Sequence, residues 1–273
     1  MRKLIKTNPW PIKTFIFLIL IISFSAFAIS DNKPKIVHVY VALCDNVHQG
    51  IISVPEILGN GEDPDNNLYW GALYGVKTYF KNSEDWKILA SIKNPQPEVL
   101  ERCVFKSLEF NAYMVADAYR GKNIKKSIAD FLEAVAGKTV DTFEAEVEES
   151  SLRLDAGGRS GLIAYIGHNG LMDFSLDKYP SGNSDSHRDV LILACASKSY
   201  FTAPLRLTGA YPLIWTTGLL APEAYTLKSA LTGWLQEKSG EDIRKQTAKT
   251  YAKYQKCSVK AAEKLFATGW DEK

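Results

Sequence analysis

Two short apolar runs in the second half of the chain each break off in a reactive side chain. Residues 162–170 read LIAYIGHNG and residues 190–197 read VLILACAS. Runs of this length, rich in Ile, Leu and Val, are the pattern of strands buried on both faces. The first ends in His168 among glycines, the second in Cys195 among small residues, 27 positions later. If the strands are neighbours in a parallel sheet, both side chains emerge at one edge. In open α/β sheets that carboxyl edge is where ligands bind. Imidazole beside thiol there forms a nucleophile–base pair.

The first 28 residues read as a segment removed before folding. Arg2, Lys3, Lys6 and Lys13 form a basic leader, residues 14–24 are apolar, and Ala26-Phe27-Ala28 fits small-x-small cleavage. An uncleaved anchor usually needs about 20 apolar residues, more than this run offers. The expectation is export to the periplasm or beyond the cell, with no stable membrane anchor after cleavage. Of the 273 residues 245 then remain, and subtracting those four from 33 basic residues leaves 29 against 31 acidic ones, net −2. No run of five Lys or Arg occurs in this remainder, so nucleic-acid binding has no electrostatic support. No cofactor fingerprint is legible: the glycines of 155–161 fit no nucleotide-binding spacing.

Along residues 29–273 the pattern alternates strand and helix. Residues 35–43 form the first strand, and a polar loop follows from Cys44 to Gly50. Residues 68–80 read as a short aromatic helix, 86–93 and 101–108 as a hairpin, and 112–120 as another strand. Ile128, Phe131, Leu132 and Val135 give 124–137 a helical period closed by Gly137. The acidic stretch 140–154 fits neither period clearly. After Cys195, a helix over 198–207, a strand over 211–217 and helices at 223–237, 241–255 and 259–266 are expected, with Pro222 where a helix begins. These elements predict one α/β domain of three layers, α/β/α, around a mostly parallel sheet, with C-terminal helices within about 222–266.

The chemistry-bearing residues gather at predicted strand ends: Asp45 and His48, His168, Cys195, and Thr216 with Thr217. A helix beginning just after Cys195 would favour the thiolate through its dipole. Backbone amides at Gly167, Asn169, Gly170 and Ala196 are candidates to receive an oxyanion.

Both blocks together resemble the caspase-like cysteine peptidases, the group that holds caspases, legumains, gingipains and bacterial CHAT domains. The resemblance spans about residues 36–234. It implies that the histidine strand lies between the first strand and the cysteine strand, with His168 as general base and Cys195 as nucleophile. The strand over 212–217 would flank the primary specificity pocket, with the end of the first strand opposite. The sequence departs from the family in two places. The family has Gly directly after His, whereas Asn169 stands here, and 27 residues separate His from Cys against about 50 in caspases.

Under that strand order Cys44 and Cys195 are two strands apart, about 9–10 Å, beyond the reach of a disulfide. Cys195 is then expected to stay reduced, leaving at most one bridge among Cys44, Cys103 and Cys257. Asp45, Asp173 or Asp185 would favour Arg or Lys before the scissile bond, with Trp215 walling the pocket, although loop acids and a core aromatic are the plainer readings. His187 reads as surface.

The expected function is an exported cysteine endopeptidase acting on peptide or protein substrates. Alternatives are an envelope binding or scaffold protein without turnover, and a metal site built from His48, His168, His187 and Cys195.

Overall fold

In the computed structural model, residues 33–147, 150–182 and 188–270 are described. The leader, Asp185 and His187 lie outside them. The strands are β1 (Lys35–Ala42), β2 (Trp86–Gln96), β3 (Val99–Ser107), β4 (Ala112–Tyr119), β5 (Val140–Val147), β6 (Ser150–Gly157), β7 (Leu162–Ile166), β8 (Asp189–Leu193), β9 (Tyr211–Thr216) and β10 (Phe266–Ala267). The helices are α1 (Val76–Lys81), α2 (Ile124–Val135), α3 (Ser197–Thr208), α4 (Ala224–Leu235), α5 (Gly240–Gln255) and α6 (Val259–Leu265).

Eight strands form one sheet in the order β10-β9-β8-β7-β1-β4-β3-β2. The pairs from β9 through β8, β7 and β1 to β4 are parallel. Antiparallel β2, β3 and β10 close the edges. The expected α/β class and mostly parallel sheet are therefore present, with the histidine strand β7 between β1 and the cysteine strand β8.

Alternation along each strand splits the apolar residues between two layers. Val37, Val39 and Val41 of β1, Ile166 of β7 and Leu193 of β8 face one layer, where α1, α4 and α5 contribute Phe80, Leu227, Leu231 and Ile243. Tyr40, Tyr165 and Ile192 face the other, covered by Ile128, Phe131 and Leu132 of α2 and Phe201 of α3. Among the described residues no helix is long and apolar enough to cross a membrane.

Three local expectations change. The aromatic helix is confined to Val76–Lys81. At Gly71 and Gly75 the chain passes so close to Asp65 and Trp70 that a Cβ would lie 2.1 and 2.4 Å from their backbones. Residues 67–75 therefore run as tight turns. The acidic stretch is the β5–β6 hairpin, whose Phe143, Leu154 and Ala156 pack on Val104 and Val115 of the sheet. Its residues alternate with period 2, with Glu144 and Arg153 paired outside at 3.0 Å. Finally, Phe266 leaves α6 to pair with Thr216 as an edge strand.

Candidate active site

β7 and β8 set the histidine and cysteine side by side. Ile166 and Leu193 are paired in register, and each reactive residue lies two positions further on. Both therefore leave the sheet at its carboxyl edge. Gly167 has φ 143°, and a Cβ there would sit 2.9 Å from the Ala42 carbonyl oxygen. Only glycine lets the chain pass this close to the end of β1. Past it, the buried Tyr165 hydroxyl donates to the His168 carbonyl at 2.7 Å.

The His168 ring is 7 % exposed and hydrogen-bonded through Nε2 to Asp173 Oδ2 at 2.6 Å. A carboxylate only accepts, so Nε2 carries a proton, which leaves Nδ1 as the ring nitrogen that can take one. The same Asp173 oxygen accepts the Gly50 N–H at 3.0 Å. Asp173, read from sequence as a pocket acid, is instead the histidine's partner and ties it to the loop after β1.

Cys195 occupies a tight strand–turn–helix corner. Ala196 is left-handed, φ 46° and ψ 33°, and α3 starts at Ser197. Such a conformation costs a non-glycine residue about 1–2 kcal/mol, and the surroundings hold it. Buried Ser197 donates to the Ile192 carbonyl at 2.9 Å and accepts the Thr216 N–H at 2.9 Å. The Asn169 side chain donates to the Cys195 carbonyl at 2.6 Å and accepts from Leu171 N. The residue that breaks the family pattern thus binds the histidine and cysteine ends together. Cys195 Sγ meets the backbone of Leu220, with N at 3.4 Å and O at 3.5 Å.

Several other candidates are drawn elsewhere. Gly167, Gly170 and Ala196 donate their N–H groups to the carbonyls of Leu193, His168 and Gly218, so none is free for an oxyanion. Asn169 and Cys195 have no such backbone partner among the described residues. Asp45 is 4 % exposed and accepts from the amides of Val47 and His48 and pairs with the His48 ring at 2.9 Å, folding its own loop. Thr216 is fully buried and bonded to Ala194 and Ser197. Thr217 donates to the Lys264 carbonyl at 2.6 Å. Trp215, 1 % exposed, packs edge-on against Trp270 at 5.3 Å, a core position.

All four cysteines are free. Cys44 follows β1 and Cys103 lies in β3, with β4 between those strands, so the even cysteine count does not translate into neighbouring pairs. Burial pushes the Cys44 thiol up to about 11 and the Cys103 thiol up to about 12. Neither is a nucleophile near neutral pH.

A second polar cluster went unseen in the sequence, inside a strand read only for its apolar content. His38 Nε2 bonds Asp117 Oδ2 at 3.0 Å, and His38 Nδ1 accepts the Gly157 N–H at 3.0 Å. Arg102 forks onto Asp117 at 2.7 and 2.6 Å and onto Asp141, whose Oδ1 is 2.9 Å away. His38, Asp117 and Asp141 are close enough to hold a metal ion. The guanidinium already bridges both carboxylates as their counter-cation, which makes the cluster a clamp between the sheet and the β5–β6 hairpin. Of the alternative metal set, His48 and His168 bond different carboxylates, and His187 lies outside the described residues.

Compared with protein-family profiles, curated protein sequences and solved structures, the chain matches none of them.

Proposed function

We propose that the chain is a cysteine peptidase in which Cys195 attacks, His168 moves the proton and Asp173 orients the histidine. The observation that carries this reading is the register of β7 and β8. It brings an imidazole bonded through Nε2 to Asp173 and a strand-end thiol to one sheet edge. The strand order β8-β7-β1 supports the caspase-like resemblance, and the basic leader supports export.

Chemically, His168 Nδ1 takes the thiol proton and the sulfur bonds the peptide carbonyl carbon. The imidazolium returns the proton to the leaving nitrogen as the C–N bond breaks. Water, deprotonated by the same ring, then cleaves the thioester, and its proton restores the thiol. The N–H groups of Asn169 and Cys195 are the backbone donors left to receive the oxyanion.

The test uses a peptidyl electrophile and mass mapping of the adduct. Cys195 should be modified ahead of exposed Cys257, with Cys44 and Cys103 unreactive. Modification of Cys257 alone, or a rate at Cys195 unchanged by His168→Ala, sinks the proposal. A further expectation concerns Asp173→Asn. It should lower kcat about 10- to 100-fold with KM little changed, because the residue touches the histidine and not the substrate. A change confined to KM would return Asp173 to the pocket.

The low exposure of His168 favours one second reading, a binding protein without turnover. Labelling of Cys195 with no cleavage of any peptide would select it.

A further inference from the structure

We propose that the groove between α1 and α4 is a docking site for a basic stretch of polypeptide. It is a cavity of about 750 Å³, walled on one side by Tyr74 and Tyr79. Leu73 stands on its lip, 66 % exposed. Turns preceding β2 and β4 bring Glu84, Asp85 and Glu109 to the other side.

Charge selects the occupant. Lys228 is bonded to Asp85 at 2.8 Å, so this pair cancels. Among the described residues Glu84 and Glu109 have no ion pair, and both are exposed, which leaves the groove with a net charge of −2. A lysine or arginine side chain matches both surfaces, its stem lying on Leu73 and the tyrosines and its charged head reaching a carboxylate or a ring face.

The aromatic wall is preformed. Tyr225 and Tyr254 stack at 4.0 Å behind the groove, and Tyr74 meets them edge-on at 5.6 and 5.4 Å. The hydroxyls of Tyr79 and Tyr254 are hydrogen-bonded at 3.0 Å. Binding therefore orders little of the wall. Glu84 and Glu109 belong to separate turns, so the groove suits several cations along a chain and not one amine. The acidic turns lie at the amino edge of the sheet, before β2 and β4, whereas the candidate site lies at its carboxyl edge. Docking itself does not require turnover.

The test is fluorescence anisotropy with a labelled peptide alternating lysine and glycine, on full chain carrying Cys195→Ala. Binding should saturate, weaken as ionic strength rises through the physiological range, and fall about tenfold in the Glu84→Gln/Glu109→Gln variant. Tyr74→Ala should weaken it too, but the exposed glutamates carry the test because their replacement leaves the core alone. The proposal is overturned by the absence of saturable binding, by undiminished affinity in the glutamine variant, or by equal affinity for a glutamate–glycine peptide. Displacement by free spermidine at matching concentration would assign the groove to a small amine and overturn the peptide. Since this protein cannot cleave through Cys195, these outcomes bear on docking alone, and lost hydrolysis elsewhere would leave docking standing.

Discussion

Arg102→Met is expected to destabilise the fold by about 3–5 kcal/mol, read as a fall in the urea midpoint at unchanged slope. Methionine restores most of the side-chain stem but leaves Asp117, 1 % exposed, as a buried anion bonded only to His38. That histidine offers Asp117 one bond only, since its Nδ1 accepts the Gly157 N–H. Replacing Asp117 by leucine in the same chain should recover much of the loss, since no unpaired charge then remains. The cluster also sets an acid limit. Burial acts to raise the Asp117 carboxyl, yet the bonds from Arg102 and His38 outweigh it and hold the group at about 2. A carboxyl lowered on folding stabilises the native state fully above its unfolded value of about 3.9. That contribution disappears as pH falls toward about 2. The midpoint should therefore be insensitive to this group near neutrality and decline between those values. A change below about 1 kcal/mol in Arg102→Met would mean that water, and not the clamp, satisfies Asp117.

Replacing His168 by alanine should lower peptide hydrolysis about 10²- to 10⁴-fold, the usual contribution of a positioned general base. The ring is held from three directions: Gly167 fixes its approach, Tyr165 its carbonyl, and Asp173 its Nε2. Its loss removes the group that takes the thiol proton while leaving Cys195, Asn169 and the α3 corner in place. Circular dichroism and the urea midpoint should change little. A hydrolysis rate within about threefold of the unsubstituted chain would rule out base catalysis by His168.

Much of the sheet was legible because its parallel strands are continuous apolar runs, and the two that matter break off in His168 and Cys195. Their order followed from the family resemblance and agrees with the sheet. Partners at a distance were not legible. Asp173 looks like any loop acid until Gly50 and His168 converge on it. Asn169 appeared as an interruption of a motif, although its carboxamide reaches the facing strand. His38, Arg102 and Asp117 sit in strands whose apolar neighbours dominated the pattern, and only the register of β1, β4 and β3 makes them one cluster. Three of the four oxyanion candidates, Gly167, Gly170 and Ala196, failed for a related reason. A glycine amide in sequence has no visible partner, whereas Gly167 and Gly170 each have one in the fold.

Cleavage of a mixed peptide library by the full chain under reducing conditions, run beside Cys195→Ala, measures the peptidase most directly. Hydrolysis at a defined set of bonds, absent from the Cys195→Ala protein, is the predicted result. Full activity in that variant, or no cleavage of any peptide by the unsubstituted chain, would contradict it.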